Sequence, residues 1–255
     1  MANVALAADF GITFPDSEVA LQLAVRWAHL IAGITWIGLL YFFNLVSVSF
    51  MKSLPPETSG KVYPALMSRV IGWLRWSALV AVVAGLFYWA YFIILPEAQN
   101  ARAHGIGSTG KMTLLWFFAF WTGAFLIEFL VLMLPVDALK SGPVLGIIVA
   151  LVVVGAAYGW LSLNSHAWES SRLQSIGIGG GIGWFMLFNV WGLIWPTHKK
   201  LIKWTAESAR TGAPVPSQAA QLSRQALVLS RINFFLSFPM LLFMAAASHY
   251  PFLVD

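Results

Sequence analysis

Cysteine is absent from the 255-residue sequence, and charged residues make up only 10% of it. Without cysteine the chain can form no disulfide, no thiolate metal site and no covalent attachment of a c-type haem. The shortage of charge excludes an ordinary soluble domain, in which about 25% of residues are charged. Any metal or haem in this chain therefore depends on His, Met or carboxylate ligands.

Apolar residues dominate what remains, at 59% of the sequence, and several apolar runs exceed the ~18 residues that a membrane-crossing helix requires. We predict an all-α polytopic integral membrane protein, a helical bundle of about six transmembrane helices in contact with the lipid bilayer. Residues 1–255 form a single domain, since no flanking segment is large enough to fold separately. The predicted spans are about 19–51, 70–95, 111–134, 142–163, 178–195 and 226–249.

Basic residues are distributed unequally between the two sets of alternate links, which predicts the orientation. Nine of them lie on one side: Lys52, Lys61, Arg69, Lys140, Lys199, Lys200, Lys203, Arg210 and Arg224. Four lie on the other: Arg26, Arg102, Lys111 and Arg172. Because basic loops stay in the cytoplasm, both termini are expected outside. This asymmetry accounts for the net charge of +5 without a nucleic-acid partner.

His29 lies about a third of the way into the first span, where an ionisable side chain costs free energy and so implies a partner. Gly33 and Trp36 follow at helical spacing and share its face. Gly33 leaves a gap one turn from the imidazole, wide enough for a flat ligand such as a porphyrin. The alternative is that His29 hydrogen-bonds a neighbouring helix and Gly33 permits close packing.

Four of the five histidines fall on the outer side of the predicted topology, which suggests axial ligation of a b-type haem or a mononuclear metal. His29 is the first candidate ligand because it is the deepest. His166 and His249 compete for the second position, and the sequence does not choose between them. His104 lies in a link and is expected to be solvated, whereas His198 is expected to cap the fifth helix at the inner surface.

A second polar layer is predicted nearer the inner face. Arg75 and Glu128 lie at similar depth and could pair, with Asn44, Asn189, Arg231 and Asn233 at the same level. The layer could be a structural polar lock, a pocket for an anionic or quinone-like planar molecule, or a proton relay. One face of the sixth helix is expected to join it to the outer histidines: Arg231, Phe234, Phe238, Leu242, Ala245 and His249.

The glycine-rich run 177–183 superficially matches a dinucleotide-binding loop, but no strand precedes it and a helix continues from it. That interpretation is therefore rejected. Gly179 and Gly183 instead have the spacing of small residues that allow tight contact with another helix or with a cofactor, and helix packing is favoured.

Three segments together resemble the membrane domain of the bacterial membrane-bound urate oxidase (urate hydroxylase) family. They are Trp27-Ala-His-Leu-Ile-Ala-Gly-Ile-Thr-Trp-Ile-Gly-Leu-Leu-Tyr-Phe-Phe-Asn44, Phe188-Asn-Val-Trp-Gly-Leu-Ile-Trp-Pro196 with Lys199-Lys200, and Ser230-Arg-Ile-Asn-Phe-Phe-Leu-Ser-Phe-Pro-Met-Leu-Leu-Phe-Met-Ala-Ala-Ala-Ser-His-Tyr250. The resemblance implies a protein of the bacterial inner membrane that oxidises urate to 5-hydroxyisourate and passes electrons to cytochrome c rather than directly to oxygen. Full-length members continue into a c-type cytochrome domain. This sequence ends at Asp255 without one, so a separate periplasmic electron acceptor is expected.

Three functions follow as hypotheses. The first is a haem-b-containing oxidoreductase, urate oxidase-like, which passes electrons to periplasmic cytochrome c. In that case the planar urate anion is expected near Arg75, Asn189 and Arg231, with Glu128 as the one carboxylate of the layer. The second is a non-catalytic haem b or quinol-interacting anchor subunit of a larger respiratory complex. The third is a haem-free transporter or structural subunit whose histidines only pack.

Overall fold

Six helices long and apolar enough to cross a membrane make up most of the computed structural model, which describes residues 16–107, 110–251 and 253. In chain order they are α1 (Ser17–Ser53), α2 (Pro56–Ala103), α3 (Gly110–Met133), α4 (Gly142–Ser162), α5 (Ser171–Thr211) and α6 (Gln218–Ala246). These described residues contain no strand, and a short 3-10 turn, Asp137–Lys140, precedes α4. The predicted all-α, multi-pass membrane bundle is confirmed.

Several helices extend well beyond the predicted spans. The second begins at Pro56 rather than near residue 70, and the fifth covers Ser171–Thr211 rather than about 178–195. Hydropathy detects only the apolar part of a helix, whereas the helix itself ends where its backbone is capped. Asp16 caps α1 by accepting from the Val19 amide at 2.8 Å, and Ser170 caps α5 at the Leu173 amide, 3.0 Å away.

Successive helices run antiparallel, so the bundle has two ends. At the first, called the Ser17 end, α1, α3 and α5 begin and α2, α4 and α6 end; Ser170 before α5 donates to Glu97 near the end of α2. At the opposite end, the Ser53 end, Tyr63 near the start of α2 lies 3.0 Å from His198 Nδ1. His198 is thus buried inside α5 and does not cap it, because that helix continues to Thr211.

The fifth helix is the centre of the bundle. In the most apolar 18-residue stretch of α5, 61% is buried. In the corresponding stretches of the other five helices, the buried share lies between 22% and 33%. Glycines make this possible: Gly177 lies against the Trp160 ring of α4, and Gly181 against the Trp121 ring of α3. A side chain at either position would occupy the space of the indole. Of the two glycines predicted to allow tight contact, Gly179 would place a Cβ atom 3.1 Å from the Met240 carbonyl oxygen of α6, which is close packing, whereas Gly183 would leave 3.6 Å to the Met240 sulfur, an ordinary contact.

Three helices widen locally into π-helical segments: Phe42–Ser47 in α1, Ala90–Ile94 in α2 and Asn189–Ile194 in α5. The segments in α2 and α5 end two residues before Pro96 and Pro196. Proline lacks an amide hydrogen and its ring crowds the carbonyl of the preceding turn, so a wider turn relieves the conflict. In α1, Asn44 itself lies in the segment and donates to the Leu40 carbonyl at 2.9 Å.

The face of α6 that the sequence analysis placed inside the bundle lies mostly outside it. Its exposed members are Arg231, Phe238, Leu242, Ala245 and His249. The buried face instead carries Ser230, Asn233, Ser237 and Met240. The prediction was wrong because an apolar side chain is equally stable against lipid or protein, so in a membrane small and polar residues mark the packed face.

Candidate functional site

A cavity of about 640 Å³, the His29 cavity, lies between α1, α2, α5 and α6 towards the Ser17 end. Its volume is within the roughly 300–1,000 Å³ that is usual for small-molecule and cofactor sites. His29, Gly33 and Trp36, which the sequence placed on one face of α1, all line it. The structure therefore brings the three predicted cofactor residues of this helix into one space.

The imidazole of His29 is held by the neighbouring helix α2. Its Nδ1 lies 2.6 Å from the Ala81 carbonyl oxygen, and because a carbonyl can only accept, Nδ1 carries the hydrogen. A neutral ring then keeps its lone pair on Nε2. A backbone carbonyl bonded to one ring nitrogen is the usual arrangement when the other nitrogen binds a metal.

Gly85 of α2 leaves the space that the His29 ring occupies. A Cβ atom at residue 85 would lie 2.7 Å from both Cε1 and Nδ1 of the imidazole, closer than real Cβ contacts allow. Any larger residue at this position would push the ring away from Ala81. Gly85 therefore leaves room for the His29 ring at the position where it bonds the Ala81 carbonyl.

Three other glycines of the cavity do not serve close helix packing, unlike Gly179, where a Cβ atom would lie 3.1 Å from the Met240 carbonyl oxygen of α6. A Cβ atom at Gly33 or Gly38 would meet nothing within 4 Å, and at Gly180 only the Met244 terminal carbon at 3.7 Å. Gly33 and Gly38 thus face open space. The alternative reading of His29 is correct about its hydrogen bond to a neighbouring helix, but Gly33 makes no close contact.

The remaining histidines are not among the residues that line this cavity. His166 bonds Glu169 through Nδ1 at 3.0 Å, His249 is exposed beyond the end of α6, and His104 bonds the Asn100 carbonyl. None of them lines the cavity, and the described residues contain no group of three or more His, Asp or Glu able to hold a metal ion. The structure therefore does not bring His166 or His249 to His29.

Two methionines of α6, Met240 and Met244, do line the cavity. A thioether sulfur is an established second axial ligand beside histidine in haem proteins. The sequence analysis allowed methionine as a ligand but assigned no particular one. The buried face of α6 could have been found from its serines and asparagine, which repeat at helical spacing with Met240.

The cavity also has an opening between α1 and α6. Leu30, Ile34 and Leu241 line it and are exposed on the surface of the bundle, by 57%, 62% and 41%. In a multi-pass membrane protein, exposed leucine and isoleucine at mid-helix face lipid. A lipid-soluble molecule could therefore enter from the side.

Part of the predicted inner layer exists as a buried polar group, the Glu128 cluster, formed by Glu128, Asn189 and Asn233. Asn189 donates to the Asn233 side-chain oxygen at 3.0 Å, and Asn233 donates to the Met186 carbonyl at 3.1 Å. Glu128 lies beside Asn189 and is 1% exposed. Apart from the Asn189 side chain, the carboxyl oxygens of Glu128 have no hydrogen-bond partner, and the Asn189 Oδ1 has none.

The two arginines of the predicted layer lie elsewhere. The guanidinium of Arg75 is surrounded by indole rings, at 4.4 Å from the centre of Trp195 and 5.3 and 5.4 Å from Trp76 and Trp191. Cation–π contacts of this kind stabilise an arginine without a carboxylate. It forms no ion pair with Glu128, and Arg231 is exposed. The four predicted catalytic residues therefore do not form one site, and none lines the His29 cavity.

Comparison with known proteins adds no relative: no protein-family model, no curated protein and no solved structure matches the chain.

Proposed function

We propose that this protein is a haem-b-containing membrane oxidoreductase, with the haem held in the His29 cavity. The observation that carries the proposal is the pairing of His29 Nδ1 with the Ala81 carbonyl, which leaves Nε2 available to a metal at a cavity of about 640 Å³. Glycine at positions 33 and 38 keeps the wall beside the imidazole free of side chains. A flat apolar macrocycle is the class of ligand that such walls accept.

Each side chain has a defined part in this arrangement. His29 binds the iron, Gly85 and Ala81 fix the ring, and Met240 and Met244 supply the sulfur atoms from which a second ligand can come. When bound, haem iron accepts and releases one electron at a time. Trp36 and Phe117 add apolar wall that excludes water. No residue of the Glu128 cluster is needed to hold the group.

The substrate and the electron acceptor in this proposal come from the resemblance to membrane-bound urate oxidases. Oxidation of urate with one water molecule gives 5-hydroxyisourate, two protons and two electrons, and cytochrome c accepts one electron per molecule. The excess of basic residues in alternate links supports an orientation in the bacterial inner membrane with both termini outside. The Ser17 end, and with it the His29 cavity, then faces the periplasm where cytochrome c is found.

A visible spectrum of the purified protein tests the proposal. We expect a Soret band that shifts on reduction with dithionite, and reduction of the same chromophore by urate in the absence of dithionite. Absence of the Soret band would remove haem from the account. If dithionite reduces the haem and urate does not, haem remains the proposed cofactor and urate is rejected as the substrate.

A second candidate function has one observation in its favour, the opening between α1 and α6. A quinol diffusing in the bilayer could reach the cavity past Leu30, Ile34 and Leu241. In that case the protein is a quinol-interacting haem subunit of a respiratory complex. Reduction of the haem by a short-chain quinol but not by urate would favour this function over the first.

A further inference from the structure

Two arginines line the His29 cavity at the Ser17 end, and no Asp or Glu of the described residues lines it with them. Arg26 lies one turn before His29 on α1, and Arg172 is the second residue of α5. The lining of the cavity includes neither Asp nor Glu. Arg26 is exposed and Arg172 is half-buried, and a half-buried guanidinium is costly unless an anion or another acceptor balances it.

Two carboxylates beside the start of α5 already accept hydrogen bonds from groups other than the arginines. Glu97 accepts from the Ser170 amide at 3.0 Å and from its hydroxyl at 2.7 Å. Glu169 accepts from the His166 amide and ring. Among the described residues no ion pair includes Arg26 or Arg172. Within the described residues, the two guanidinium groups therefore have no carboxylate partner.

Arg172 is nevertheless held in a fixed position. Its terminal nitrogen donates to the Tyr88 hydroxyl oxygen at 3.0 Å, and Gln22 Nε2 donates to the same oxygen at 3.3 Å. Since both contacts use the oxygen as an acceptor, the Tyr88 hydroxyl hydrogen stays free to donate. The Nε atom of Arg172 is buried and has no partner. Unused donors thus accumulate at the mouth of an otherwise apolar cavity.

We infer that Arg26, Arg172 and Tyr88 form a carboxylate-binding mouth, and that the ligand of the His29 cavity is an amphipathic molecule with an apolar body and a carboxylate end. Guanidinium groups bind carboxylates with charge-assisted, often bidentate hydrogen bonds. This inference rests on the proposed function, because haem b has this chemistry: a flat apolar macrocycle with two propionates on one edge. The mouth then sets which edge of the macrocycle faces the Ser17 end.

The test compares two forms of the ligand that differ only at the carboxylates. Protein produced in haem-deficient cells is titrated with haem b and with its dimethyl ester, and binding is followed by Soret absorbance. We expect the wild type to bind haem at least about tenfold more tightly than the ester, a difference of about 1.4 kcal/mol, because the ester carries no charge for the guanidinium groups to pair with. In the R26Q/R172Q variant the two affinities should agree within about threefold.

Two further variants separate a specific effect from damage to the fold. Arg102→Gln removes an arginine at the same end that bonds the Ala98 carbonyl and does not line the cavity, and it should keep the wild-type preference. The R26K/R172K variant restores the charge and should recover part of the preference. Equal binding of haem and ester by the wild type, or a preference that survives in R26Q/R172Q, would overturn the carboxylate mouth while leaving haem in place. A wild type that binds neither form would overturn the proposed function as well.

Discussion

The His29 cavity and the Glu128 cluster both contain polar side chains that lie inside a bundle of apolar helices. They differ in whether hydrogen-bond donors or acceptors lack a partner. At the cavity the buried groups without partners are donors, the Arg172 Nε and the Trp36 Nε1, and glycines keep the adjoining wall open. In the cluster they are acceptor oxygens, on Glu128 and Asn189, and both residues are buried. Spare donors beside open space indicate a site for an anionic or acceptor-bearing ligand, whereas spare acceptors in a packed core indicate a contact between helices.

The largest effect is expected where a glycine packs rather than faces the cavity. Gly181→Ala puts a Cβ atom into the Trp121 ring, whereas Gly180→Ala on the next residue meets only Met244 at 3.7 Å. We expect Gly181→Ala to lower the free energy of unfolding by about 3 kcal/mol, and Gly180→Ala to change it by less than about 1 kcal/mol. Thermal unfolding in detergent, followed by tryptophan fluorescence, measures both. Equal stabilities would contradict the division of α5 into a packing face and a cavity face.

A similar pair of glycines tests the cavity itself. Gly85→Ala displaces the His29 ring, so we expect bound haem to fall at least about tenfold, the equivalent of about 1.4 kcal/mol. Gly33→Ala adds a methyl group to open space and should leave haem content within about twofold. Haem per protein, measured from the pyridine haemochrome, gives the comparison. Equal losses in the two variants would show that His29 needs no defined position.

The sequence predicts the fold and part of both the His29 cavity and the Glu128 cluster, but it does not predict all of their residues. Composition predicts the six helices because the bilayer demands long apolar runs. Helical spacing places His29, Gly33 and Trp36 on one face, and the structure finds all three at the cavity. Depth along the helices also brought Glu128 and Asn189 to one level. Sequence spacing within single helices, however, carries no information about which helices are neighbours.

The sequence analysis missed residues whose roles depend on which helices are neighbours. Ala81 and Gly85 matter only because α2 lies beside His29, and Arg172 was counted merely as a loop charge. Arg231 was placed in the inner layer because its depth is right, but it lies on the exposed face of α6. In a membrane, hydrophobicity does not separate the lipid-facing side of a helix from the packed side. Contacts between helices decide both cases.

A loss of stability smaller than that of Gly181→Ala is expected in the Glu128 cluster, and it tests whether that cluster is structural. Asn233→Ala removes the acceptor for Asn189 and the donor to the Met186 carbonyl, which should cost about 2 kcal/mol of stability. Glu128→Gln supplies an amide donor that can reach the unpartnered Asn189 oxygen, so we expect unchanged stability or a gain of up to about 1 kcal/mol. Thermal unfolding again provides the measurement. Loss of urate oxidation in a stable Glu128→Gln variant would instead assign the cluster a catalytic part.

The smallest expected effect concerns the hydroxyl that orients Arg172. Tyr88→Phe keeps the ring but removes the oxygen that Arg172 and Gln22 share. We expect haem affinity to fall by about threefold to tenfold, in line with the loss of one hydrogen bond of about 1 kcal/mol. Tyr91→Phe is the matched control, because Tyr91 is exposed on the same helix and does not line the cavity. An identical loss in both variants would mean that the Tyr88 hydroxyl has no specific part.

The central claim is that His29 holds the iron, and the difference spectrum of His29→Ala beside those of His166→Ala and His249→Ala tests it most directly. The account predicts that His29→Ala, while still folded, loses the reduced-minus-oxidised Soret signal, because no other histidine lines the cavity. The other two variants should keep the wild-type spectrum. A wild-type spectrum in His29→Ala, with its loss in His166→Ala or His249→Ala, would contradict the account.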